Sequence, residues 1–467
     1  MKKKKILINI CYDTFIRNYI SNNAFNSLEK NYDCYFIANS NTVYLKNIIK
    51  KKKNFLGFYK FQKNEIKKFS RYFTLNYFKQ KNNGLGLKYN YKIVSSFRYK
   101  YYNEDSSRII LMFIPRFSVY LLKKFFYYFF SIFNLKYEYI DDRSISRKKL
   151  KKILLDTNPD LIISPIQGCH IGHNEINILA KDLNIKTVAL IDNWDNLSSK
   201  PMLKPLYDYF MVWGKQSQDH ARSIHNIAPK KIKLVGTSRF DHYYKDRSKK
   251  IKSHYNFKYI LFLESWGVGY FSLHKYDEQA LDILDEYISK NKKLFGDIKI
   301  IYRPYPWRMT KEIIDFSKYK NIELDKQLKK NYLNKKFDNS IQPSLSYYPS
   351  LIKNAQLVIA GPTSMVIETA IFNKKTIVTS QDSEKFLSNG NFIINSEHFD
   401  NIEKISQIKL CKNVKNIGKM VEKGLFNKSK KKSFRTTDNQ INFFLYNDSL
   451  KYSERLNKKV TEILNNN

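Results

Sequence analysis

The sequence predicts an α/β protein of two domains that face a cleft. Three observations point there. Short apolar runs that read as strands alternate with stretches of helical periodicity along much of the chain. At 467 residues the chain is longer than one ordinary domain. A polar, charge-rich stretch, His242 to Asn256, divides the pattern into two sets, as a linker would.

In the first set, Ile6–Asn9, Asp33–Ala38, Leu161–Pro165, Thr187–Ile191, Tyr209–Val212 and Lys233–Val235 read as strands. Glu175–Leu183 and Gln216–His225 carry helical spacing between them. Lys46 to Lys100 is basic and aromatic with weak periodicity, and reads as helices and loops inserted in the first domain. In the second set, Tyr259–Leu263 reads as a strand, Glu278–Asn291 as a helix, Ile298–Tyr302 as a strand and Ser346–Lys353 as a helix. Leu357–Ala360 and Lys375–Thr379 follow as strands. The tail after Phe426 is polar, and Ile441–Leu445 is its only apolar run. The expected units are 1–245, 255–430 and a tail, 431–467.

Net charge is +41, from 83 basic and 42 acidic residues. Compositional drift, anionic lipid headgroups or nucleotides, and nucleic acid are competing readings of such an excess. Nucleic acid is not expected, because there is no zinc finger, no RNP-like aromatic motif and no discrete basic domain. The four cysteines (Cys11, Cys34, Cys169, Cys411) are widely spaced and form neither a zinc pattern nor a disulfide framework, which suits a reducing, cytoplasmic interior. After Met1-Lys-Lys-Lys-Lys5 the apolar stretch to Cys11 is too short for a signal peptide. No segment reaches the ~20 uncharged apolar residues of a spanning helix. Residues 116–135 place Phe117, Leu121, Phe125 and Phe129 on one helical face and Arg116, Lys123 and Lys124 on the other. Such a helix fits an anionic membrane surface on the inner face of the membrane, and equally fits packing on its own domain.

In open α/β sheets ligands bind where strands end, so the segments after strands are the places to look for chemistry. After Leu161–Pro165 come His170 and His173, on a Gly-containing loop; imidazole suits proton transfer from an acceptor hydroxyl near neutral pH. After Thr187–Ile191 comes Asp192-Asn-Trp-Asp-Asn-Leu-Ser-Ser-Lys200, dense in groups that bind hydroxyls, with Asp192 and Asp195 as further candidate bases. Arg239 follows the last strand of the first set, positioned to meet a phosphate or a carboxylate, or to pair with Asp241. In the second set, Glu264-Ser265 follows the first strand and Arg303-Pro-Tyr305-Pro-Trp307 the next. Arg303 offers a planar fork of donors to a diphosphate.

The segment Gly361-Pro-Thr-Ser-Met-Val-Ile-Glu-Thr-Ala370 lies between two strands. Gly361 and Pro362 turn the chain, and Thr363 and Ser364 stand where a helix N-cap belongs, a position that favours an anion such as a diphosphate. Glu368 falls at neither capping-box position, so local capping does not explain it. Leaning back over the loop, it would hold sugar hydroxyls; an early-helix Glu favoured by the macrodipole is the plainer alternative. No GxGxxG fingerprint, Walker loop, GxSxG elbow or HExxH occurs.

The combination of Ser164-Pro165 with its His-containing loop, Asp192–Lys200, Val212-Trp213-Gly214, Gly236-Thr-Ser-Arg-Phe-Asp241, Arg303–Trp307 and Gly361–Ser364 resembles bacterial surface-carbohydrate glycosyltransferases of the GT-B fold. It is also similar to the CDP-glycerol glycerophosphotransferases. The likeness spans about Asp160 to Ser380. It implies two Rossmann-like domains facing a cleft, with the acceptor in the first and a nucleotide-sugar donor in the second. It implies transfer to a surface-polysaccharide or lipid-linked saccharide, with no metal, no cofactor beyond the nucleotide sugar, and a C-terminal tail that can cross back to the first domain. Donor contacts then fall to Arg239, Glu264, Ser265, Arg303, Tyr305, Gly361, Pro362, Thr363, Ser364 and Glu368. Related sequences often read Arg-Pro-His-Pro where this chain has Tyr305, a departure that weakens the glycerophosphotransferase reading. A nucleotide-sugar epimerase of the same architecture stays open, as does, in another class, a non-catalytic basic membrane or nucleic-acid binding protein.

Overall fold

The computed structural model describes residues 3–40, 42–60, 148–167, 171–199, 207–264, 273–307, 312–338, 340–380, 382–383, 388–389, 394–427 and 433–465. The amphipathic segment 116–135 lies outside them, as does most of the basic aromatic insertion.

The chain builds two parallel sheets. The first holds β1 (Lys5–Ile10), β2 (Asp33–Asn39), β3 (Phe55–Tyr59), β4 (Leu161–Ile166), β5 (Lys186–Ile191), β6 (Tyr209–Val212) and β7 (Ile232–Leu234), in the order β3-β2-β1-β4-β5-β6-β7. The second holds β8 (Tyr259–Leu263), β9 (Lys299–Arg303), β10 (Ile322–Leu324), β11 (Leu357–Ala360), β12 (Thr376–Thr379) and, after the short β13–β14 hairpin (Asp382–Ser383 with Ser388–Asn389), β15 (Ile408–Cys411). Its order is β10-β9-β8-β11-β12-β15. Central strands are buried on both faces: β4, β8 and β11 are buried at every residue, as continuous apolar runs in a helix-covered parallel sheet should be.

Each sheet starts in the middle and reverses direction once, between β1 and β4 and between β8 and β11. Those reversal points splay the following loops apart and open a crevice at the strands' carboxyl ends. This topology decides where the site lies.

The expected strands form, with ends shifted by a residue or so. Five more form where the sequence gave no clear run: β3, inside the segment read as helices and loops, the short β10 and β15, and the two-residue strands β13 and β14. The tail also departs from its polar reading. Helix Tyr452–Asn465 buries Tyr452, Leu456, Val460, Ile463 and Leu464 in the core of the first sheet, beside Ile6, Ile8, Phe25 and Leu28. Tyr32 and Thr461 hydroxyls meet at 2.7 Å, and Lys4 donates to the Leu464 carbonyl at 2.6 Å.

The turn before that helix explains two glycines of the motifs that carry the family resemblance. A Cβ on Gly214 would stand 2.5 Å from the Phe444 carbonyl, and one on Gly236, at φ +79°, 2.5 Å from the Tyr446 oxygen. Tyr446 donates its backbone N–H to Trp213 at 2.7 Å, and Gln216 its own to Phe443 at 2.8 Å. Both glycines are seats for the returning chain.

A shared apolar core fastens the domains behind the crevice. Trp194, Trp213, Phe240 and Tyr243 of the first pack with Val358, Val366, Ile367 and Phe399 of the second, and with Phe444 and Leu445. The expected linker therefore begins as ordered structure: helix Asp241–Asp246 carries Tyr243, 1% exposed, into this core.

Candidate functional site

A cavity of about 750 Å³ opens where the two sheets' carboxyl ends face each other. From the first sheet come residues after β1 (Tyr12, Asp13, Thr14, Arg17, Asn18), after β4 (Gln167), after β5 (Asp192, Asn193) and after β7 (Arg239). From the second come Glu264 after β8, Arg303 to Trp307 after β9, and Thr363 to Met365 and Glu368 after β11. Tyr348, on helix Tyr347–Asn354, closes one side.

Glu368 forms the floor. It is buried, and its Oε1 accepts from Arg239 Nη2 at 3.1 Å while its Oε2 accepts from the Tyr243 hydroxyl. Burial pushes the Glu368 carboxyl up, against the opposing pull of Arg239. Burial is the largest influence on Arg239 and works to lower its pKa, but Glu368, Asp192 and the neighbouring phenols together outweigh it and the net direction is up, so the guanidinium stays charged. The alternative pairing of Arg239 with Asp241 is not formed. Asp241 instead accepts from the Tyr452 backbone N–H at 2.9 Å and lies 3.8 Å from Arg455.

Arg303 lines the cavity but is largely engaged. It donates to Asp325 at 2.6 Å and to Gln327 at 2.7 Å, and its plane lies 4.3 Å from the Tyr348 ring. Asp325 is shared with the Tyr347 and Tyr255 hydroxyls at 2.9 and 3.1 Å. The fork expected to clamp a diphosphate is thus spent mainly on holding Asp325. Glu264 likewise holds its own sheet: its Oε2 accepts the Tyr305 backbone N–H at 2.5 Å, which fixes the loop after β9. Burial pushes the Tyr305 phenol up, so it is a neutral donor at neutral pH.

Asp192, 2% exposed, is fixed by two amides: Asn18 Nδ2 at 2.9 Å and Gln167 Nε2 at 2.7 Å. Both donors come from loops after neighbouring strands of the first sheet, so the carboxylate is oriented at the cavity wall. Asp195 is not among the cavity's lining residues. It starts helix Asn196–Ser199, accepting from the Ser199 hydroxyl at 2.6 Å. Trp194, in the same segment, is buried edge-on against His398, Phe399 and Phe444.

Thr363 and Ser364 line the cavity, and Ser364 holds the expected N-cap position of the helix Met365–Ile371 that follows, without a side-chain cap hydrogen bond. Ser364 is already helical, at φ −59° and ψ −21°. Gly361 and Pro362 turn the chain behind them, away from the cavity lining. His170 and Ser265 lie outside the described residues; His173 falls in helix Ile171–Asp182, where its side chain is not described.

Among the lining residues that escaped the sequence reading are Arg17, Asn18, Gln167, Tyr243 and Tyr348. Arg17 and Asn18 follow β1, a strand end like those searched elsewhere, so the same rule extended to the first strand would have reached them. Tyr243 was hidden in a stretch whose composition resembles a linker.

No family model matches the sequence, and no curated protein matches it. Solved structures match the fold over nearly the whole chain. S. aureus MnaA, in a co-structure with UDP, aligns at 12% identity and a TM-score of 0.52, over 99% of this chain and 97% of that one. The UDP-GlcNAc 2-epimerase of Neisseria meningitidis, bound to UDP-GlcNAc, aligns at 11% and 0.53, over 99% and 100%. The UDP-N-acetylglucosamine 2-epimerase of Rickettsia bellii aligns at 9% and 0.52, over 99% and 97%. At such identities the likeness is one of architecture: the chain has the two-domain α/β arrangement of the GT-B kind, with a parallel sheet in each half.

Proposed function

We propose that the protein is a nucleotide-sugar-dependent glycosyltransferase, with the acceptor against the first sheet and the donor against the second. The observation that carries this reading is the cavity at the reversal points of both sheets, with an oriented carboxylate, Asp192, on one wall and the uncapped hydroxyls of Thr363 and Ser364 on the other. Two amides and the Tyr19 phenol hold Asp192, and the remaining lone pairs of its two oxygens leave acceptor capacity for a substrate hydroxyl. The acceptor hydroxyl gives its proton to Asp192 as its oxygen forms the bond to the sugar's anomeric carbon. The bond from that carbon to the nucleotide diphosphate breaks, and the electron pair leaves with the diphosphate. Hydroxyl donors and the nearby arginines stabilise the charge that develops there. Glu368, tied on both oxygens, keeps lone pairs that can accept from donor hydroxyls.

Epimerisation is the second reading, favoured by the end-to-end alignment with UDP-GlcNAc 2-epimerases. A melting-temperature screen with UDP-, GDP-, dTDP-, CMP- and CDP-linked sugars and CDP-glycerol finds the donor; product analysis with and without a saccharide acceptor then separates the reactions. Acceptor-dependent release of the nucleotide supports transfer, and an isomerised sugar without acceptor supports epimerisation. Binding and hydrolysis of CDP-glycerol alone would replace both with polyol-phosphate transfer. A protein that neither binds nor alters any of these compounds sinks the nucleotide-sugar reading.

A further inference from the structure

Three arginines line the cavity, and two are already answered by carboxylates: Arg239 by Glu368 at 3.1 Å and Arg303 by Asp325 at 2.6 Å. Arg17 is not. It sits in the helical turn Ile16–Ile20 after β1. Its Nε donates to Asn18 Oδ1 at 3.2 Å, and its plane lies 4.9 Å from the centre of the Trp307 ring, which belongs to the second domain. Among the described residues no carboxylate stands within ion-pair distance of it, and neither Nη has a protein acceptor.

Four carboxylates share the cavity wall, but each is held by donors of its own. Asp13 accepts from the Val43 and Leu45 backbone at 3.1 and 2.6 Å. Asp192 is held by two amides, Glu264 by the Tyr305 backbone, and Glu368 by Arg239 and Tyr243. Burial is the largest influence on Arg17 and pushes its pKa down, yet a guanidinium cannot shed its charge at any ordinary pH. A partly desolvated cation with no anion in contact with it is unfavourable. It is retained at little advantage to the empty protein, and the missing half of the interaction comes with a ligand. The two free Nη groups form the fork that matches a pair of anionic oxygens. The fork also lies next to the residue, Asn18, that orients Asp192, so the anion would be held close to the reacting centre.

We propose that Arg17 is the receptor of a phosphoryl group in this cavity, carried either by the donor's diphosphate or by the acceptor. The choice of phosphoryl over carboxylate rests on the nucleotide-sugar reading; the anion site itself does not.

Calorimetric titration of the full-length protein and its Arg17→Gln and Arg17→Lys variants tests this. The probes are UDP, GDP, CDP and dTDP, their parent nucleosides, inorganic pyrophosphate, and glycerol 3-phosphate added to nucleotide-saturated protein. The expected result is a roughly ten- to hundredfold loss in Arg17→Gln for a phosphate-bearing probe, with nucleoside affinity unchanged and Arg17→Lys in between. A loss for the nucleoside diphosphate assigns the group to the donor. A loss confined to glycerol 3-phosphate assigns it to the acceptor. Arg17→Gln should also melt no lower than wild type without ligand, because it removes an unanswered charge. Undiminished affinity for every probe, with a lower melting temperature, would make Arg17 only an anchor on Trp307 and overturn the proposal. Wild-type protein that binds no nucleotide but binds pyrophosphate through Arg17 would retire the nucleotide-sugar reading and leave the anion site standing.

Discussion

Arg239 of the first domain and Glu368 of the second meet at 3.1 Å, with side chains 14% and 4% exposed, beneath the cavity that separates the two sheets. Tyr243 completes the cluster from the Glu368 Oε2 side. The pair joins the halves of the molecule at the same place where ligand would sit.

Removing one partner of such a pair leaves the other buried and unanswered. Glu368→Ala should therefore cost about 3–5 kcal/mol of stability, while the double variant Arg239→Met/Glu368→Leu recovers most of that loss. Urea unfolding of the two singles and the double measures the coupling. A Glu368→Ala midpoint close to wild type would mean that the contact fastens nothing.

Asp192 carries the proposed proton transfer. Asp192→Asn keeps the shape but not the basicity, so turnover should fall about a hundred- to ten-thousandfold with donor affinity unchanged. Stopped or continuous assays of nucleotide release, beside donor titration, separate the two quantities. Full activity in Asp192→Asn would move the base to a residue not in this constellation.

Acid should loosen the back of the domain interface. His220 and His225 are buried, and burial lowers both pKa values to about 4, His398 adding to the effect on His220. Burial also lowers the pKa of His398, whose Nδ1 meets the Ser198 hydroxyl at 3.1 Å. In the unfolded chain these rings titrate near the ordinary 6.5. Between 6.5 and about 4 the unfolded state then binds more protons than the folded one. Stability is full above that window and declines as pH falls through it, by up to roughly 3 kcal/mol for each of His220 and His225. Urea midpoints measured across pH 4–8 should show the decline in wild type and a shallower one in His220→Gln. Equal slopes in the two proteins would remove His220 from the account.

Gly236 and Gly214 should resist replacement for reasons unrelated to chemistry at the site. An alanine at either would press its Cβ to 2.5 Å from the backbone of Phe444 or Tyr446, and at Gly236 would add strain at φ +79°. Each substitution should cost about 2–3 kcal/mol, visible in thermal melts. Retained stability in Gly214→Ala would mean that the 443–446 segment moves aside freely.

Much of the fold was legible because buried parallel strands are uninterrupted apolar runs, and Leu357–Ala360 or Tyr259–Leu263 cannot be much else. The edge strands β10 and β15 were not, since Ile322-Glu-Leu324 and Ile408-Lys-Leu-Cys411 interleave exposed polar residues and are three or four residues long. The last helix was masked by its polar average; its core face, Tyr452, Leu456, Val460 and Ile463, emerges only when read at helical spacing. Of the site, the sequence showed which strand ends carry polar side chains. It did not show who pairs with whom. Arg239 and Glu368 are 129 residues apart, and Arg303 meets an Asp325 that no local motif marks. Asp195 and Trp194 looked functional because turn-starting and interface residues use the same amino acids as binding loops.

The helix Tyr452–Asn465 covers apolar surface laid down by β1 and the residues just after it. During synthesis, Ile6, Ile8, Phe25 and Leu28 emerge long before their cover does. At ordinary elongation rates the interval is on the order of tens of seconds. The first domain can gather its strands in that time but cannot close. Until the helix arrives an apolar groove stays open, and a chain halted before that point carries the kind of exposed surface that aggregates. Closure of the first domain's core thereby depends on residues that lie more than 400 positions further along the chain.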